Sequence, residues 1–197
     1  HGSAARWILV GSNGQTIGRV AAFINNKLAN SFKQPTGGMG FFECENNTTA
    51  AFLLFETCKK WIMERNFQAM EGPINFGEKD RWWGLLVDGF LPPVYGVNYN
   101  PPYYRQLFEE FGFKTYYEQY CYYRKIYDPL PERYQEKTNR IAKNPGYTFD
   151  HLRISNIEKY VDDFRTVYNL AWVKHPGFKP MSETRAKNIM QTMKPVM

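Results

Sequence analysis

Two carboxylates two positions apart, Glu43 and Glu45, are the first groups in this chain whose type and spacing suit chemistry. They fall in residues 39–45, a run with strand composition, so Phe41, Glu43 and Glu45 project to one side and Phe42 and Cys44 to the other. A carboxylate among apolar neighbours has its pKa raised by desolvation and becomes a general base near neutrality. The candidate proton donor is the Tyr104 phenol, which lies in a run of helical periodicity. Plainer roles fit the same residues: a solvated strand face for Glu43 and Glu45, core packing for Tyr104. The amides of Asn75, Asn98 and Asn100 and the phenol of Tyr99 are expected to line a ligand cleft, because loops on a rigid sheet commonly carry binding groups. Alternatively they satisfy turns and caps. Trp82 and Trp83, flanked by Asp80, Arg81 and Gly84, read either as an aromatic platform for a ligand or partner or as the edge of a core.

Other chemistry is excluded by what the chain does not group together. Cys44, Cys58 and Cys121 are odd in number, lack ligand spacing and sit in apolar segments, so they read as reduced core thiols. His1, His151 and His175 form no metal-binding cluster, and a metal enzyme is not expected. No apolar run approaches the roughly 20 residues that cross a bilayer, which points to a cytoplasmic protein without a membrane partner. With 43% hydrophobic and 22% charged residues, the 197-residue chain has the composition of a folded globular core, and its length suits one core with a small satellite. His1-Gly2-Ser3 reads as a tag remnant left by an expression vector and is set apart from the fold.

The elements that must position these groups follow from periodicity. Residues 6–10 and 16–24 flank an Asn13-Gly14 turn and predict a hairpin in which both turn positions take φ > 0. The third strand is followed by a helix capped at Asn47 or Thr48 and running to about 65, with Ala51, Leu54, Phe55, Cys58 and Ile62 as one apolar stripe. A short strand is expected at 67–71. A long irregular stretch then runs from Gly72 to Pro102, with 84–87 and 94–98 as its strand candidates. Asn100 is expected to cap a second helix that accepts Pro101 and Pro102 in its first turn, buries Tyr104, Leu107, Phe108 and Phe111, and stops at Gly112. Residues 113–127 read as a hairpin or long strand.

The net charge of +6 is concentrated in the tail, with 13 basic against 11 acidic residues in 1–127 and 12 against 8 in 128–197. Residues 128–146 read as a linker with a short helix. On that helix Arg133, Lys137, Arg140 and Lys143 make a basic stripe, diluted by Glu132 and Glu136, which reads first as a solvated face. Residues 147–154 suit a strand. A capping box from Ser155 to Glu158 opens a helix to about 174, with Ile157, Tyr160, Val161, Phe164, Val167, Tyr168 and Ala171 as its buried stripe. A last helix starts at Ser182 and carries Ala186, Ile189, Met190 and Met193.

The segment Leu107-Phe108-Glu109-Glu110-Phe111-Gly112-Phe113, a helix ending in Gly-Phe before strands, resembles the closing helix and final strands of the GNAT acyl-CoA N-acyltransferases. The upstream order of hairpin, third strand, helix and splayed strand agrees. The segments Gly72-Pro73-Ile74-Asn75-Phe76 and Tyr99-Asn100-Pro101-Pro102-Tyr103-Tyr104 are similar to a two-unit subgroup of GNAT-like proteins. The resemblance covers about two thirds of the chain. It implies a mixed α/β fold, with a twisted, mostly antiparallel sheet flanked by helices over residues 4–127. Residues 147–197 add a strand-helix-helix extension like the start of a second unit.

The same resemblance implies acetyl-CoA or another acyl-CoA as donor and an amine as acceptor, with Glu43 or Glu45 as base. It places the donor's phosphates at Asn47, Thr48 and Thr49, where the family has a glycine-rich loop and this chain has Glu45-Asn46-Asn47-Thr48-Thr49. The family's helix tyrosine that protonates the departing thiolate matches Phe108, so Tyr104, one turn earlier, is the substitute acid. Two other readings stay open. One is a non-catalytic module that binds a small molecule or a protein partner without a cofactor. The other, ranked last, is single-stranded nucleic acid stacked on Tyr116, Tyr117, Tyr120, Tyr122 and Tyr123 beside the basic tail. A homodimer swapped through 147–197 is a further expectation.

Overall fold

The computed structural model describes residues 2–27, 29–30, 33–75, 84–93, 97–175 and 178–197. The chain divides into two compact units, His1–Tyr120 and Cys121–Met197. Trp82 and Trp83 lie outside the described residues, as do 94–96 of the strand candidate 94–98.

The first unit is a mixed α/β layer of the GNAT-like kind. Strands β1 (Gly2–Val10), β2 (Thr16–Asn25), β3 (Thr36–Cys44) and β4 (Ala69–Glu71) lie in the order β1-β2-β3-β4. The first three pair antiparallel, and β4 runs parallel to β3. Gly2 and Ser3, set apart on sequence as a vector remnant, belong to β1, where they face Asn25 and Ile24. The hairpin turn is longer than a two-residue connection. Gly11 N–H donates to the Gln15 carbonyl and Gly14 N–H to the Gly11 carbonyl, and only Gly14 of the Asn-Gly pair takes φ > 0, at 80°. Asn13 keeps ordinary φ because its Oδ1 accepts the Gln15 N–H, an Asx turn that replaces the expected type I′ geometry.

Helix α1 (Thr48–Met63) starts where Asn47 Oδ1 accepts the Ala50 N–H at 3.0 Å, and it buries all five residues of the expected stripe. That face covers the sheet through Val20, Ala22, Met39, Phe42 and Cys44. Helix α2 (Tyr104–Phe111) closes the same core. The Phe55 ring stands 4.6 Å from Phe108 and 4.8 Å from Phe42, so one side chain joins α1, α2 and β3. Phe108, the position matched to the family's acid, is spent on this packing. Gly112 ends α2 at φ 108°, as its lack of a Cβ allows.

A bulge sets which residues β3 turns inward. Arg19 pairs with Glu43 but Ala21 with Gly40, so β3 carries one extra residue at Phe41–Phe42, and Phe41 takes φ 50°. Met39 and Cys44, five apart, therefore share the core face opposite Ala22 and Gly18, and Phe41 and Glu43 turn out to the other side.

Several expected elements are absent from the described residues. Residues 84–87, 113–127 and 147–153 form no strand, because none of them is laddered to a neighbouring strand. Strand β4 starts at Ala69 rather than at Phe67. Asn100 does not cap α2: Tyr103 holds the cap position without a side-chain bond, and Pro101 and Pro102 precede the helix. Cys121 is exposed, unlike Cys44 and Cys58, for want of a strand to bury it.

The second unit holds α3 (Glu132–Ala142), α4 (Ile157–Trp172) and α5 (Glu183–Met193). No residue of α3 is buried, and its basic stripe is exposed throughout. Ser155 does not cap α4. A 3₁₀ turn at Ile154–Asn156 enters the helix instead, and its cap position, Asn156, makes no side-chain bond. Val161, Met181, Ala186 and Met190 form a small core between α4 and α5. Asn169 clasps Met181 through both of that residue's backbone groups, and Lys187 pairs with Glu158 of α4 at 3.5 Å and with Glu183 at 2.8 Å. Much of the expected α4 stripe stays uncovered. Val167 is 66% exposed, and Phe164 and Ala171 are exposed as well, because α5 packs along one side only. Ser182 caps α5 as expected, its Oγ accepting the Arg185 N–H. Ala186 and Met190 are buried, but Met193 is exposed.

Candidate functional site

Strands β3 and β4 pair only over Thr36–Gly38 and Ala69–Glu71. Beyond that they are no longer laddered, and the chain after β4 bonds to β3 through Ile74 N–H to the Met39 carbonyl and Phe41 N–H to Asn75 Oδ1. A cleft of about 620 Å³ opens there. It is walled by the outer ends of β2 and β3, by Pro73 and Asn75, by 84–85, and by 98–104 at the entry to α2. That volume falls within the range of small-molecule sites.

The cleft brings together Glu43, Glu45 and Tyr104 with Asn75, Asn98, Tyr99 and Asn100. It does not include Asn47, Thr48 or Thr49, which form the cap and first turn of α1 with Asn47 Oδ1 engaged by Ala50. Glu43 is outward and joined to Arg19, Nη2 to Oε1 at 2.7 Å, across the β2–β3 pair. Glu45 lies one residue past β3, held by its N–H donating to the Ile17 carbonyl. Among the described residues, the formal charges lining the cleft are one guanidinium and two carboxylates.

Tyr104 is buried, and its Oη accepts the Cys44 N–H at 3.0 Å. Burial raises its pKa, with Tyr103 and Glu43 adding in the same direction and the Cys44 bond opposing. A phenol so placed keeps its proton at neutral pH and is available as a donor. Tyr103 Oη donates to the carbonyl of the same residue, Cys44, at 2.9 Å, and burial beside Cys44 and Glu45 raises its pKa too.

Asn100 is the buried polar residue of this wall, and its amide is fully engaged. Oδ1 accepts the Leu86 N–H at 2.8 Å, and Nδ2 donates to the Leu86 and Pro101 carbonyls at 3.1 Å each. It fastens 84–87 to the entry of α2, which is why that stretch needs no strand partner. Asn75 likewise serves the backbone, through Phe41. Tyr99 is exposed at the rim, its ring 6.3 Å from Phe90.

Sequence reasoning missed Arg19 and Tyr103. The β2–β3 register sets Arg19 opposite Glu43, and the bulge in that pair hides it from the sequence. Nothing in the sequence separates the hydrogen-bonding role of Tyr103 from that of its neighbour. Among the described residues no cluster of His, Cys, Asp and Glu suits a metal ion, and no helix is long and apolar enough to cross a membrane.

Two relatives are similar over most of the chain. A protein of Caulobacter vibrioides named bacterial ceramide synthase is 26% identical over 189 residues, 93% of this chain and 48% of that protein. Protein YghO of Escherichia coli is 20% identical over 180 residues, 86% of this chain and 43% of that protein. The chain thus spans a little under half the length of each. No family model and no solved structure matches it.

Proposed function

We propose that the cleft belongs to an N-acyltransferase that moves an acyl group from a thioester to the amine of a long-chain amino alcohol. The observation that carries this reading is the unladdered end of β3, where a buried phenol and two carboxylates line one cleft. The Caulobacter relative's name supports it, since a ceramide is by definition an N-acylated long-chain amino alcohol.

In this reading the amine nitrogen attacks the thioester carbonyl, the C–N bond forms and the C–S bond breaks. The proton lost from nitrogen goes to Glu45, because Glu43 is held by Arg19. The departing thiolate takes its proton from Tyr104. Thr48 and Thr49, exposed in the first turn of α1, are the groups that would meet the phosphates of an acyl-CoA donor at the positive end of the helix. The neighbouring Glu45 disfavours an anion there, so affinity is expected to come chiefly from the acyl and thioester portion.

The test is incubation of the chain with palmitoyl-CoA and sphinganine, followed by mass spectrometry for the amide, alongside thermal shift with palmitoyl-CoA, acetyl-CoA and free CoA. Amide product that falls about a hundredfold in both Tyr104→Phe and Glu45→Gln supports the roles given to them. Absence of product together with no stabilisation by any donor sinks the reading.

A further inference from the structure

The polar groups along the open edge of β3 are met by side chains where a fifth strand would otherwise bond. Asn75 takes the Phe41 N–H, Tyr104 takes the Cys44 N–H, and Tyr103 takes the Cys44 carbonyl. Two adjacent phenols thus hold both polar groups of one residue from α2 and the position just before it. Their rings meet edge to face with centroids 5.2 Å apart.

We infer that Tyr103 is the positioning residue of the site: it anchors Cys44, whose N–H in turn fixes the direction of the Tyr104 O–H. This inference rests on the N-acyl-transfer reading and deepens it. A phenol hydroxyl prefers the plane of its ring, with the proton on one side and an in-plane lone pair on the other. Because the Cys44 N–H takes the lone pair, the proton is left on the opposite side. Tyr104 lines the cleft, and in the acyl-transfer reading the departing thiolate takes that proton. Tyr103 needs no contact with the reacting atoms to act. By holding the Cys44 carbonyl it stops the end of β3 from twisting, and with it the N–H on which Tyr104 rests. Cys44 is paired with Gly18 of β2 and buried in the core, but on its other side β4 has already diverged, and there the two phenols are what meet its backbone groups.

The experiment reads the clamp and the reaction separately. Amide hydrogen exchange on the full chain should show the Cys44 N–H exchanging about tenfold faster in Tyr103→Phe, the loss of one hydrogen bond's restraint, with α1 amides unchanged. In the acyl-transfer assay Tyr103→Phe should lower kcat about tenfold with KM altered less than about threefold, and should add nothing in a Tyr104→Phe background. Unchanged Cys44 exchange overturns the clamp whatever the activity shows. Faster exchange with additive losses in the double variant overturns the positioning role and leaves Tyr103 a structural residue. A wild-type chain that transfers no acyl group, with faster Cys44 exchange still seen in Tyr103→Phe, overturns the positioning role and keeps the clamp.

Discussion

Helices α1 and α4 are both sixteen residues long and both carry an apolar stripe, yet α1 buries six residues and α4 buries one, Val161. Within its unit α1 lies against a sheet and α2, which cover its stripe from Ala50 to Ile62. Within its unit α4 meets, among the described residues, α5 and the segment that leads into it, and Val167 of its stripe remains 66% exposed. A helical stripe states which face gains by being covered, but the neighbouring layer decides how much of that gain is realised. The cleft sits in the unit where the layer is complete, because reacting groups must be held to within fractions of an ångström.

The sharpest way to break this comparison is to truncate one residue in each stripe. Phe55→Ala removes the ring shared by α1, α2 and β3 and is expected to cost about 3–5 kcal/mol in denaturant unfolding of the first unit. Val167→Ala is expected to cost less than about 0.5 kcal/mol, as surface substitutions do. Comparable losses would mean that α4 is covered in solution.

Alkaline pH offers a second contrast, because burial in α1 pushes the Cys58 thiol up to about 12 from 9.0. The unfolded chain ionises this thiol first, so stability is intact below about pH 9 and declines as pH rises toward 12, at about 1.4 kcal/mol per pH unit where the proton difference is complete. Tyr103 and Tyr104, also raised by burial, act in the same direction at higher pH. Urea melts between pH 8 and 11 should therefore lose part of their slope with pH in Cys58→Ala.

Helix caps sharpen the comparison at a smaller scale. Asn47→Ala and Ser182→Ala each remove a side-chain acceptor from a helix N-terminus, at an expected cost of about 1 kcal/mol. Hydrogen exchange should confine the first effect to the unit that holds α1 and the second to the α4–α5 pair. The smallest effect is expected of the Arg19–Glu43 pair, whose side chains are 53% and 66% exposed. Arg19→Gln should change stability by less than about 0.5 kcal/mol and less still at high salt, so a large loss of acyl transfer in this variant would mark Arg19 as a ligand-binding group.

Much of the first unit was legible because its signals are local. The spacing of Ala51, Leu54, Phe55, Cys58 and Ile62 fixes both the helix and its buried face, and Asn47 and Gly112 mark helix ends through their own backbone chemistry. The outward projection of Glu43 also followed from strand alternation, although the alternation resets at Phe41. A bulge depends on how β2 and β3 register, and no property of residues 39–45 taken alone encodes it. The expected strands at 113–127 and 147–154 failed for a related reason: strand-forming composition needs an edge to pair with, and among the described residues none is laddered to them.

The sequence by itself determined the helices of both units, the hairpin and the side chains able to exchange a proton, because these depend on neighbours within one or two turns of chain. Tertiary structure alone decided that Asn100 fastens a loop instead of capping a helix, that Phe108 packs in the core, and that Tyr103 and Tyr104 grip one residue at the open edge of β3. The physical reason is reach: a hydrogen bond between positions 59 or 60 residues apart exists only once the sheet has brought them together.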